Sequence, residues 1–426
     1  MGTIAEQILQ EATGTDVTPG ETIKAPVDLA FGHDMTLPPA IDAFERLDVG
    51  TVFDPDRTVV IPDHLVPPPD EQSVELYAAC EEFANRHDLE FYPQGEQGQE
   101  HVVLPEDGYI RPGEIVVGAD SHSCTHGALG AYATGVGSTD LAFAMAFGWL
   151  WLRVPKTTRI DYTGTPARWV TGKDLVLATL AELGADGAVY HALEFGGSAL
   201  ADLPMDARFS IANMAVEAGA ATGLVEPDDR TKRYVRDRVD EADRPCTYYT
   251  PTADATYANE LTIDCGGLEP QVAVPEQPDN VVSVSTLEDV AIDQVVIGSC
   301  TNGRRRDMEL AAAVLEDRPV ADDVRLIVTP GSQAVKRTCL EEGWLETFLD
   351  AGATVESPGC GACFGKRTGV LGEDEVAIST TNRNFPGRMG HPTSAVYLAN
   401  PAVAAASATT GTITAPGTLA GAAEVS

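Results

Sequence analysis

Short apolar, β-branched runs recur along the chain and alternate with stretches in which apolar residues fall three and four positions apart. Thr58–Pro62, Ile115–Gly118, Arg159–Tyr162, Gln294–Ile297, Arg325–Thr329 and Ala353–Glu356 read as buried strands. Helical spacing, with a capping residue or a glycine near an end in several cases, predicts helices over Gln72–His87, Leu141–Trp151, Gly172–Leu183, Asp307–Leu315 and Gln333–Glu342. Parallel strands need a crossover between them, so this alternation predicts α/β layers with mainly parallel sheets.

A chain of 426 residues is long enough for two or three domains with their own cores. The charged, turn-rich stretch Glu226–Asp243 and the Pro-punctuated Glu269–Asn280 read as linkers, and a fresh strand follows Pro155. Three α/β domains are expected on this basis, 1–155, 156–280 and 281–426.

Charge narrows the function classes. The formal net charge is −37, from 65 acidic against 28 basic side chains, and only six of the basic ones are Lys. Such a surface repels phosphate backbones and anionic lipid, which argues against nucleic-acid and membrane partners. The acids are spread along the chain rather than gathered in a tail, as on surfaces adapted to high salt, where screening shortens repulsion to about 3 Å at 1 M. No long apolar span or basic-then-apolar leader is present, so the expectation is a cytoplasmic protein. In a reducing compartment its eight cysteines are too dilute for a disulfide framework, and a close pair is better suited to metal or redox work.

That pair is Cys360 and Cys363, in the glycine-rich turn Ser357-Pro358-Gly359-Cys360-Gly361-Ala362-Cys363-Phe364-Gly365 after a predicted strand. Cys300 lies in a second turn, Gly298-Ser299-Cys300-Thr301-Asn302-Gly303, also after a strand, where α/β proteins place ligand groups. Two thiolates from one turn and one from another suit a cluster better than a structural zinc, which wants four closed ligands. Zinc-stabilised structural protein and thioredoxin-like redox pair remain the rival readings. Three thiolates on a four-iron cluster leave one iron open to act as a Lewis acid. Cys80 and Cys339 fall on helical patterns and read as core, Cys124 as a packed thiol, and Cys246 and Cys265 have no partner motif.

Both cysteine turns resemble the GSCTN and GCGxC segments of the aconitase superfamily. Three further segments extend the resemblance from about residue 28 to 410: Asp120-Ser121-His122 within Gly118–Gly127, Asn213-Met214-Ala215-Val216-Glu217, and Asn382-Arg383-Asn384-Phe385-Pro386-Gly387-Arg388. The continuation Thr125-His126-Gly127-Ala128 is closer to the isopropylmalate dehydratase branch than to aconitase proper. This resemblance implies three aconitase-like α/β domains around a [4Fe-4S] cluster held by Cys300, Cys360 and Cys363. It implies a hydro-lyase acting on a hydroxy-dicarboxylic acid, with 2-isopropylmalate in leucine biosynthesis the first choice. His33-Asp34-Met35-Thr36 departs from the Thr-Ser-Pro pattern of many leucine-pathway members, leaving homoaconitase and citramalate or dimethylmalate dehydratase open.

Dehydration needs a group that protonates the departing hydroxyl, and an imidazole held by a carboxylate is suited to it. Asp63 with His64, Asp120 with His101, and Glu217 with His122 are the candidate catalytic pairs, at positions matching the family's active site. Arg383 and Arg388 can offer guanidinium forks to substrate carboxylates, with Asn213, Asn382 and, lower in rank, Ser121 as further binding candidates. His87 and His191 read as structural. The family's fourth, swivelling domain has no counterpart in these segments. The resemblance therefore implies a separate small subunit that supplies the base and specificity groups, and a chain inactive alone. An RNA-binding, iron-responsive role is disfavoured by the charge.

Overall fold

The computed structural model describes residues 2–240, 244–287 and 289–419. Its backbone condenses into two compact units, Met1–Tyr162 with Gly187–Thr262, and Thr163–Asp186 with Ile263–Ser426. Among the described residues no helix is long and apolar enough to cross a membrane.

The first unit is built on a five-stranded, all-parallel sheet in the order Glu90–Phe91, Thr58–Val60, Leu29–Gly32, Ile115–Gly118, Tyr132–Gly135. The chain starts in the middle, runs outward to Glu90–Phe91, then returns to the other side of Leu29–Gly32. This reversal leaves a crevice at the carboxyl ends of Leu29–Gly32 and Ile115–Gly118, because the connections leave those neighbours in opposite directions. Helix Glu71–His87 forms because Asp70 caps it, accepting from the Ser73 N–H at 2.8 Å, and it stops at Asp88, whose φ is 57°. Its inner face buries Cys80, Phe83 and His87, with Phe44 of helix Leu37–Glu45 edge-on to Phe83 at 5.4 Å. Phe83→Ala there is worth about 3–5 kcal/mol.

Two expectations for this unit need correction. The helix expected over Leu141–Trp151 spans Ser138–Phe147 and closes on Gly148 at φ 71°. Beyond it Trp149–Arg153 is a strand paired antiparallel with Thr22–Pro26, its alternating Trp and Leu giving a period of two. The expected linker Glu226–Asp243, of which 241–243 lie outside the described residues, holds helix Asp229–Arg236. Asp228 caps that helix and takes both Nη atoms of buried Arg208, at 2.8 and 2.6 Å.

A second sheet, ordered Thr222–Val225, Ala192–Gly196, Thr157–Thr163, Asn259–Asp264, has its first three strands parallel. Helix Met205–Asn213 and the tight turn Met214–Ala218 bridge two of those strands. They carry Asn213 and Glu217.

The second unit holds a seven-stranded sheet in the order Val281–Ser283, Gln271–Ala273, Ala395–Leu398, Val376–Ser379, Gln294–Gly298, Arg325–Thr329, Thr354–Val355. The last five are parallel, and the Gln271–Ala273 pairings are antiparallel. Gln271–Ala273 lies within the expected linker Glu269–Asn280. Chain order reverses again, between Gln294–Gly298 and Val376–Ser379, giving a second crevice at strand carboxyl ends. Helix Pro401–Thr410 is half Ala, which lets Pro401–Ala408 lie buried against this core.

A candidate acid–base centre and a three-thiol turn set

At the first crevice, successive strands each deliver titratable groups from the turn that follows them. His33 and Asp34 follow Leu29–Gly32, Asp63 and His64 follow Thr58–Val60, and Asp120 follows Ile115–Gly118. Asp34 is fully buried and organises its neighbour turn. Its Oδ1 accepts from the N–H groups of Asp63 at 3.2 Å and His64 at 3.0 Å, and its Oδ2 from Leu65 at 2.6 Å. Burial alone would raise this carboxyl; the His33 ring 3.8 Å away and the charge of His64 outweigh it and hold Asp34 at about 2.

Three imidazole–carboxylate pairs assemble here. His64 Nδ1 stands 2.5 Å from Asp63 Oδ1, His101 Nε2 2.7 Å from Asp120 Oδ1, and His122 Nε2 2.8 Å from Glu217 Oε1. Burial opposes a charge on His64, but the Asp63 carboxylate wins and pushes the ring up to about 9. His64 thus carries a proton at neutral pH. Burial pulls His101 down against the attraction of Asp120. Asp120, for its part, is half-buried and held well below the carboxylate range by bonds from His101 and His122. This pair is an ionised carboxylate accepting from a neutral ring.

Asn213 donates to Thr125 Oγ1 at 2.8 Å, and Thr125 Oγ1 to the His122 carbonyl at 2.6 Å, so Asn213 braces the turn that aims His122. Cys124 Sγ packs on the Asn213 carbonyl at 3.3 Å. Ser121 is exposed at the start of the same turn. His87 packs among Phe44 and Phe83, and His191 bonds Thr158 at 2.9 Å, away from these pairs. Sequence reasoning missed Glu100 and did not place His33 and Asp34 in the site, although a His-Asp pair directly after a strand was a usable signal.

Three of the second unit's cysteines, the candidate cluster ligands, lie in turns that glycine makes possible. Gly298 has φ 142° and a Cβ there would stand 2.3 Å from the Thr329 carbonyl; Gly361 has φ 60° and would meet Thr329 Oγ1 at 2.8 Å. Cys300, Cys360 and Cys363 are all buried. Asn382, in the turn after Val376–Ser379, touches both turns: its Nδ2 donates to Cys300 Sγ at 3.2 Å and Thr301 Oγ1 at 3.0 Å, while its Oδ1 accepts from Cys363 at 3.8 Å. Arg388 Nη2 donates to Cys363 Sγ at 3.5 Å, and Arg383 is half-buried in the same segment. The carbonyls of Thr380 and Thr381, just before Asn382, are held by the buried Lys173 ammonium.

Thr329 Oγ1, between the two cysteine turns, is buried with no hydrogen-bond partner among the described residues. Soft thiols, amide and guanidinium donors aimed at sulfur, a glycine cradle and an orphaned hydroxyl fit an iron–sulfur cluster.

Doubly wound parallel sheets whose switch points carry imidazole–carboxylate pairs and a set of buried thiols define a protein built for acid–base chemistry and for sulfur ligation of metal. The chain belongs to the aconitase family (aconitate hydratase), which matches residues 6–289 and 283–411. It is 51% identical over 416 residues to the 3-isopropylmalate dehydratase large subunit of Moorella thermoacetica, covering 97% of this chain and 98% of that one. The protein of the same name from Syntrophus aciditrophicus is 50% identical over the same shares. Aconitase X of Thermococcus kodakaraensis, solved in its holo form, has a TM-score of 0.49 at 14% identity, over 89% of this chain and 88% of that one.

Proposed function

We propose that the chain is the large subunit of a hydro-lyase that interconverts 2-isopropylmalate and 3-isopropylmalate in leucine biosynthesis by dehydration and rehydration. The observation that carries this reading is identity of about half over nearly the whole length of curated 3-isopropylmalate dehydratase large subunits. Cys300, Cys360 and Cys363 would hold a [4Fe-4S] cluster, whose open iron supplies Lewis acidity toward a hydroxyl and a carboxylate.

The chain's own groups divide the remaining work. His64, charged at neutral pH against Asp63, is assigned protonation of the departing hydroxyl. His101, kept neutral and anchored by Asp120, and His122, anchored by Glu217, are assigned the orientation of the reacting groups around His64. Arg383 and Arg388 are assigned the substrate carboxylates, and Asn213, Asn382 and Ser121 stay in supporting roles. A separate small subunit would bring the base that takes the carbon-bound proton, together with the groups that select the alkyl substituent.

The test is anaerobic reconstitution of the chain with iron and sulfide, alone and with its small subunit, followed by assay on 2-isopropylmalate, homocitrate, citramalate and dimethylmalate. Brown protein with iron and labile sulfide, lost in Cys360→Ala, and turnover of 2-isopropylmalate only with the partner present are expected. A colourless, zinc-binding chain sinks the cluster; preferential turnover of another acid sinks the substrate.

A further inference from the structure

Glu100 is fully buried, and neither of its carboxyl oxygens has a hydrogen-bond partner among the described residues. Its backbone N–H donates to Asp63 Oδ2 at 3.0 Å, which sets the side chain between the Asp63–His64 and Asp120–His101 pairs. Oε1 lies 3.5 Å from His101 Nε2 and 4.0 Å from His33 Nε2. His33 Nε2 stands 3.9 Å from Asp120 Oδ2 and also lacks a hydrogen-bond partner among the described residues. The groups around Glu100 are Asp63 and His64 from one turn, His33 and Asp34 from the next, Asp120 and His122 from a third, and His101 on its own helix. An ionised Glu100 would face three other carboxyls with no donor replacing lost water, an arrangement that costs several kcal/mol.

Either a cation or a proton could relieve this. The ligand atoms of His33, Glu100 and Asp120 lie within 4.8 Å of one another, as a cation would require. His33 argues against a cation, because its Nδ1 accepts from the Met35 N–H at 3.2 Å. With Nδ1 engaged as an acceptor, the ring N–H sits on Nε2, the nitrogen facing the carboxyls, which leaves no lone pair there for a metal. A proton is the remaining solution.

We propose that Glu100 is a positioning residue, a carboxylic acid that keeps its proton and so lets Asp34 and Asp120 keep their charges beside the histidines they orient; this role rests on the hydro-lyase reading. The site's own balance agrees. Burial, with Asp63, Asp120 and Asp34 adding to it, drives Glu100 well above the carboxylate range, whereas Asp34 and Asp120 lie below it. A protonated Glu100 sets no extra negative charge 3.5 Å from His101 Nε2, which leaves that ring neutral.

The test begins on the substrate-free chain, where hydro-lyase activity plays no part. Infrared spectra at neutral pH are expected to show a carboxylic-acid C=O band that Glu100→Gln removes. In the same variant the ring titration of His64, assigned with His64→Gln, should stay in place, since a neutral amide has replaced a neutral acid. A wild type without the band, or a His64 midpoint that falls by about one unit or more in Glu100→Gln, overturns the proposal. So does stoichiometric manganese binding to the chelator-treated chain that Glu100→Gln abolishes. With the partner present, Glu100→Ala should lower kcat by about tenfold or more and Glu100→Gln should recover most of that loss. A Gln variant no better than Ala also counts against it. If the band is found but wild type turns over no hydroxy-acid, the hydro-lyase reading fails and the protonation of Glu100 stands.

Discussion

His64 is the residue whose chemistry can be followed most directly from geometry to rate. Its ring is pushed from an ordinary 6.5 up to about 9 by Asp63 at 2.5 Å. A folded-state value above the unfolded one means that the pair stabilises the fold fully below about pH 6.5 and loses that contribution as pH rises through about 9. Denaturant midpoints should therefore fall across that window in the wild type and much less in His64→Gln. As the acid of the proposed reaction, His64 should also give kcat an alkaline limb near pH 9 that His64→Gln abolishes, with a loss of about a hundredfold or more. The Asp63–His64 dyad was readable because its partners are adjacent in the chain. Glu100 was not, because the isolation of its carboxyl depends on tertiary neighbours, His33, Asp34, Asp63 and Asp120, that follow three different strands.

Two turns carry the element-scale consequences. Asp34 collects three successive N–H groups of residues 63–65, so Asp34→Ala should leave those donors buried and unpaired at a cost of about 3 kcal/mol or more in denaturant unfolding. Asp34→Asn, which keeps one oxygen, should lose less. Because the Asp34 carboxyl is depressed to about 2, its contribution is present above about pH 3.8 and disappears as pH falls toward 2. In the second unit Asn382 joins the two cysteine turns, so Asn382→Ala should lower iron and sulfide retention after anaerobic reconstitution while circular dichroism stays native. Retention equal to wild type would mean that the amide donor to Cys300 has no part in holding the cluster. Strands such as Ile115–Gly118 and Arg325–Thr329 were legible because a doubly covered parallel strand must be apolar throughout. Trp149–Arg153 was hidden by the helix before it, since only the left-handed Gly148 marks where a period of four becomes a period of two. Helix Asp229–Arg236 reads as a linker because its charged sequence conceals the Asp228–Arg208 anchor, a tertiary contact.

Charge governs the molecule as a whole. A net charge of −37 stores self-repulsion that favours expansion, and at physiological ionic strength screening acts only beyond about 8 Å. At 1 M salt that length falls to about 3 Å, so neighbouring surface carboxylates no longer sense one another. Largely buried pairs such as Arg159 with Glu194 at 3.0 Å are shielded from the ions and keep most of their attraction. Salt should then remove repulsion faster than attraction, and the thermal midpoint should rise by several degrees or more between about 0.1 and 1 M KCl, since each kcal/mol moves a unit of this size by about 2–4 °C. The origin of that rise is separable. Screening depends on ionic strength alone and should level off once the screening length is shorter than the spacing of surface carboxylates. Salt exclusion from apolar surface instead depends on the anion and keeps growing with concentration. Potassium chloride and potassium sulfate at equal ionic strength should therefore give superimposable, saturating curves. A midpoint that climbs without limit in sulfate and stays flat in chloride would show that the acidic surface is not what salt acts on.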